Sequence, residues 1–148
     1  LILVFKHMFT HLIGEGVGLR QTTDVAVLLH AYIPVLNIDV LREHLNEIGY
    51  LKAFDAIVAL VDRYYGLYWE EYRRLLSSKD FSMADQLMKD ILKNGNFGRM
   101  DYKNRSGWRK RLETTVRFFS NCWKYFCLAP WDIVCMVPKR ICISLRAH

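Results

Sequence analysis

"YLKAFDAIVALVDRYYG", Tyr50 to Gly66, sets apolar side chains at Leu51, Phe54, Ile57, Val58, Val61 and Tyr65. Steps of three and four residues put these on the inward face of an α-helix and are incompatible with a pleated strand. Gly66 follows at once, and glycine tolerates the left-handed backbone just past a helix end. The same punctuation continues upstream. Asn37 caps a helix reaching Gly49, with Ile38, Leu41, Leu45 and Ile48 at helical spacing. Before it, a helix over about Gln21 to Ile33 stops ahead of Pro34, with Thr22 or Thr23 as cap and Asp24 in the positive first turn. Residues 1–13 form a first helix, apolar around Lys6, His7 and His11 and ended by Gly14, Gly16 and Gly18.

Downstream the pattern stays helical. A short helix around Tyr68 to Leu76 precedes "SSKDFSMADQLMKDILKNGNFG", where Ser82 and Asp85 form a capping pattern and Gly95 closes the helix. Asn96 to Arg105 is a polar loop. From Ser106 a helix resumes with Trp108, Leu112, Val116, Phe119, Trp123 and Phe126 along one side, and Pro130 and Pro138 open two last short helices. No segment alternates with a period of two for long, and no internal repeat is present. The expected fold is all-α, a bundle of about six to eight helices. It forms a single domain over 1–148: a four-helix part (1–66), a helix and loop (67–105) and a basic, aromatic C-terminal part (106–148).

A chain of 148 residues that is 52% hydrophobic and 14% aromatic can bury a real core, which excludes disorder. It begins Leu-Ile-Leu-Val-Phe with the apolar pattern already running, so we expect the C-terminal fragment of a longer protein. Cys122, Cys127, Cys135 and Cys142 have no zinc-ribbon or redox-pair spacing and are expected as buried thiols in a reducing, cytoplasmic setting. Lys6 and His7 interrupt one apolar stretch, and Lys124, Pro130 and Asp132 another, so no membrane span is expected. Residues 1–98 hold 10 Lys/Arg against 12 Asp/Glu, net −2; residues 99–148 hold 11 against 3, net +8. An electrostatic partner should meet the C-terminal third.

His7 and His11, four residues apart, share a helix face suited to a metal, with Asp24 or Glu15 as a third ligand, or to hydrogen bonds in a helix–helix seam. The seam is the better reading, and no metal is assigned. Met8 follows His7, which excludes a His-Glu-x-x-His hydrolase. "GEGVGLR", Gly14 to Arg20, has three glycines ahead of a helix but neither a Walker lysine nor a preceding strand. Arg20 there either holds an anion or pairs with Asp24 one turn on. No Gly-x-Ser-x-Gly elbow and no Asp-x-Asp pair occur, so catalysis by this chain alone is not expected. The basic patch Lys103, Arg105, Arg109, Lys110, Arg111 and Arg117 surrounds Trp108, either as a nucleic-acid groove or, preferred, as a solvated face over a buried tryptophan. The C-terminal "APWDIVCMVPKRICISLRAH" either lies in an anionic membrane interface or, preferred, covers the end of the bundle.

"HMFTHLIGEGVGLRQTTDVAVLL", "ILKNGNFGR" and the final Pro-Trp and "PKRI" together resemble the C-terminal helical half of an uncharacterised nucleotidyltransferase family. That family is similar to the polymerase-β-like superfamily and is common in gut Bacteroidetes. The resemblance implies an upstream catalytic domain of the same chain that uses Mg²⁺ and an NTP on a small-molecule or saccharide acceptor. The Gly-Ser turn and Asp-x-Asp of that domain are absent here, so no catalytic residue and no cofactor is carried over. The family's polar motif falls on His7, His11, Arg20, Gln21 and Asp24 as substrate-side or interdomain contacts, and its loop on Gly95, Asn96, Phe97 and Gly98. The alternative is a free-standing helical interaction module whose basic C-terminal third binds an acidic partner or nucleic acid.

Overall fold

A computed structural model describes the backbone of residues 1–14, 16–94 and 107–146, with side chains except at 94, 107–113, 139, 140 and 143–146. Among the described residues the protein is all-α, with eight α-helices and no strand. These are α1 (Ile2–Gly14), α2 (Leu19–Tyr32), α3 (Ile38–Glu47), α4 (Leu51–Tyr65), α5 (Glu70–Arg73), α6 (Ser78–Asn94), α7 (Gly107–Tyr125) and α8 (Pro130–Arg146). A 3₁₀ turn, Ile33–Val35, links α2 to α3.

Helix α4 is the central element and packs against α2, α3 and α6, while α1 packs against α2 and α7. Every residue from Ala53 to Val61 is buried, so the expected single inward face widens to the whole circumference. Ala53, Ala56 and Ala59 give neighbouring helices room to close on the remaining sides, and a helix covered all round must be apolar all round. At one end of α4 the rings of Phe5, Phe9, Tyr50, Phe54 and Tyr72 interlock. Phe5–Phe54, Phe9–Tyr50 and Phe54–Tyr72 meet edge to face with centroids 5.2, 5.6 and 5.7 Å apart.

Two terminators stand where the sequence puts them. The Asn37 side chain accepts the Val40 N–H at 3.1 Å, and Gly66 ends α4 with φ +67°. Two caps move. Gly18, not Thr22 or Thr23, caps α2, and its N–H donates to the Gln21 side chain at 2.9 Å. Asp24 consequently lies beyond the first turn. Helix α6 starts one turn before Ser82: Ser77 donates to Asp80 from its N–H at 2.7 Å and from its hydroxyl at 2.6 Å. Asp85, released from capping, instead accepts from Arg63 at 3.0 Å and Tyr64 at 2.8 Å, bolting α6 to α4.

In the C-terminal part the structure settles which side of α7 is buried and corrects two expectations. Helix α7 buries Phe118, Cys122 and Tyr125 and exposes Val116, Phe119 and Trp123, with Phe126 exposed just past its end. The residues after Ala129 make one helix, not two, with Pro138 inside it. Only Cys122 among the free cysteines is buried; Cys127, Cys135 and Cys142 are exposed. Asn121 fixes the choice of face on α7, because its amide donates to the Leu12 and Ile13 carbonyls at 3.4 and 3.2 Å. Those carbonyls end α1 and would otherwise lack partners. Tyr125 and Lys124 then both reach Asp90 of α6, joining three helices. No described helix is long and apolar enough to cross a membrane.

Candidate interaction surface

The polar motif of the first two helices divides into structural and exposed members. The His7 and His11 rings touch edge to face with centroids 4.6 Å apart, His7 exposed and His11 half-buried. Among the described residues no group of three His, Cys, Asp or Glu is placed to hold a metal ion. Glu15 lies outside them. Gln21 is occupied as the capping side chain of α2. Thr22, fully buried, and Thr23 donate to the Leu19 carbonyl at 2.9 and 2.8 Å. The Tyr65 hydroxyl lies 2.5 Å from the Thr22 hydroxyl, so this cluster forms a polar seam between α2 and α4. Arg20 and Asp24 stay exposed on α2, and no salt bridge among the described residues joins them.

A second polar constellation escaped the sequence. Arg42 of α3 donates to Asp55 of α4 at 2.7 Å and to the Tyr72 hydroxyl at 2.8 Å, and Tyr72 donates to Asp55 at 2.6 Å. Asp55 is the lone acid in the buried run of α4, and it is tolerated because two donors satisfy it. Burial, reinforced by the Asp55 carboxylate, raises the Tyr72 pKa far above that of a free phenol. Tyr125 is raised in the same way, by burial first and then by Asp90. Both networks are closed, every member spent on another, which marks them as ties between helices.

Among the described residues, helices α7 and α8 carry an extended exposed apolar surface. Between them lies a groove of about 510 Å³ lined by Phe119, Cys122, Trp123, Phe126, Ile133, Val134, Val137 and Pro138. Cys122 and Ile133 make its buried floor; Phe119, Trp123, Phe126 and Val134 rise around it. Trp123 is 89% exposed, and Trp131 on the next helix is 74% exposed. Clustered large apolar residues at a surface mark interaction sites far more often than isolated ones do. Pro138 has no backbone N–H, so α8 lacks one ladder bond beside the groove.

The sequence carried a partial signal for this surface. Phe119, Trp123 and Phe126 were legible as one helical stripe, but a stripe alone does not say whether it faces the core. Of the basic patch, Arg117 is half-buried. Lys103 and Arg105, together with the loop Gly95, Asn96, Phe97 and Gly98, lie outside the described residues, as do the side chains of Trp108, Arg109, Lys110 and Arg111. Compared with family models, with curated proteins and with solved structures, the chain matches none.

Proposed function

We propose that this chain is a helical interaction module that binds an acidic partner through its C-terminal helices. The observation that carries this is the coincidence of an open aromatic groove with the most basic part of the sequence. A face holding Trp123 almost wholly in water costs hydration free energy that burial against a partner recovers. The net +8 of residues 99–148 selects the sign of that partner. The test is retention of the purified chain on immobilised polyglutamate across a salt gradient. Wild type is expected to elute late and the triple variant Arg109→Glu, Lys110→Glu, Arg111→Glu early. Equal elution removes the electrostatic half of the proposal.

A second reading, as the helical half of a nucleotidyltransferase-like enzyme, draws support from the polar surface that α1 and α2 present together. His7, Arg20 and Asp24 are all exposed on this packed pair, which suits contacts to an upstream catalytic domain or to an acceptor. Mg²⁺ and the NTP would belong to that other domain. The intact mass of the endogenous protein tests it, followed by sequencing of whatever precedes Leu1. An upstream Gly-Ser and Asp-x-Asp, with NTP use that falls on Arg20→Ala, supports it; an endogenous chain starting at Leu1 ends it.

A further inference from the structure

We infer that the occupant of the α7–α8 groove is a single acidic amphipathic α-helix of a partner protein, an assignment that rests on the interaction-module reading above. The groove's shape argues for a helix. Phe119 and Trp123 on α7 and Phe126 just past its end follow one another at four and three residues, a span of about 10 Å at the helical rise. Ile133, Val134 and Val137 form the facing wall on α8. Two apolar walls, about two turns long on the α7 side and just over one on the α8 side, with a buried floor between them, accept a third helix presenting side chains at i, i+3 or i+4 and i+7.

Charge selects among helices. Helix α7 contains five Lys/Arg and α8 three, against Glu113 and Asp132 only, so the pair carries +6. Of its two acids, Asp132 is already engaged by Lys6 of α1 at 3.7 Å. Lys124 is held by Asp90 of α6. A second copy of this chain would bring like charge against like and is disfavoured for that reason. An acidic helix brings opposite charge around an apolar stripe and satisfies both features of the groove at once.

The experiment uses the full chain and a synthetic peptide of about 18 residues, long enough to form helix when docked. Leucines occupy i, i+3, i+4 and i+7 and glutamates most other positions; a scrambled peptide of the same composition is the control. By titration calorimetry the designed peptide is expected to bind, and the scrambled one at least about tenfold more weakly. Trp123→Ala and Val134→Glu should each weaken binding at least about tenfold, as anchors at the centre of a contact do. Both positions are exposed, so unchanged circular-dichroism melts will show that the variants fold. Equal binding of the two peptides, or indifference to both substitutions, overturns the inference. Binding of phosphatidylglycerol vesicles or of single-stranded DNA with no peptide binding overturns the helix as occupant and leaves the basic face as a binding surface. No binding to any of the three, together with loss of polyglutamate retention, overturns both proposals.

Discussion

Asp55 shows how much a single residue can carry in this protein. It lies within nine consecutive buried residues of α4, with its side chain 11% exposed, and its charge is compatible with that place only because Arg42 and Tyr72 both point at it. Removing one partner of such a buried pair leaves the other charge unpaired, at a cost of about 3–5 kcal/mol. Asp55→Ala should therefore lower Tm by roughly 10 °C in a chain of this size. Tyr72→Phe removes only a hydroxyl and should cost about 1–2 kcal/mol, leaving the Arg42–Asp55 bond in place. Calorimetric melts order the two variants, and a larger effect from Tyr72→Phe would contradict the network. The pH dependence follows from the same geometry. Burial raises the Tyr72 and Tyr125 pKa values above the unfolded value near about 10. A group whose pKa is raised on folding contributes stability that is complete below the unfolded pKa and is lost as pH climbs from there toward the folded one. Stability should thus fall above about pH 10, and less steeply in Tyr72→Phe and Tyr125→Phe, as denaturant titrations at pH 8 to 11.5 would record. The sequence shows Asp55 as an acid in an apolar stretch. It does not show that residues 13 positions upstream and 17 downstream converge on it, because that depends on how α3 and α5 pack.

At the scale of the element, most helices were legible and their faces less so. Helix existence follows from local spacing and punctuation, which explains why α3 and α4 stand where Asn37, Gly49 and Gly66 place them. Gly66 gives a clean test: at φ +67° an added Cβ meets nothing within 4 Å, so only backbone strain opposes it. Gly66→Ala should cost about 1–2 kcal/mol, measured by urea unfolding, with no change in slope. Caps were misplaced where two candidates compete over one turn, as with Gly18 against Thr22, or Ser77 against Ser82. The interior geometry decides between them: Thr22 is drawn inward to Tyr65, and Asp85 to Arg63 and Tyr64. Helix α7 carries two apolar stripes, and periodicity ranks neither. Phe118, Cys122 and Tyr125 win the core because Asn121 and Lys124 beside them reach α1 and α6. Phe118→Ala should accordingly cost about 3–4 kcal/mol, as the loss of a buried aromatic does. Trp123→Ala, from a side chain almost wholly in water, should stay within about 0.5 kcal/mol. Reversal of that order in thermal melts would put the stripe of Phe119 and Trp123 in the core instead.

Across the whole molecule, the charge asymmetry was readable by counting, whereas the groove was not, since it arises only when α8 returns beside α7 after the connection from Phe126 to Ala129. Its existence depends on which stripe of α7 is buried, the point on which periodicity is silent. The two features together set how the chain should behave in solution. An apolar groove with Trp123 and Trp131 exposed favours contact between copies, and burying even a few hundred Å² of apolar surface contributes several kcal/mol at about 25 cal/mol per Å². The same helices carry a net +6, so two copies meeting through this face bring like charge against like. At 0.1 M salt the screening length is about 10 Å and the repulsion acts across the contact; at 1 M it is about 3 Å and the repulsion is largely gone. Self-association through the groove should therefore rise with salt, opposite to an association held by ion pairs. Sedimentation equilibrium at 0.1 and 1 M NaCl measures this directly. Wild type is expected to gain mass at the higher salt, and Trp123→Glu to remain at a single chain's mass in both. Association that weakens with salt, or that persists unchanged in Trp123→Glu, would show that charge and groove do not act on the same surface, and with that the case for an acidic helix as its occupant would fail.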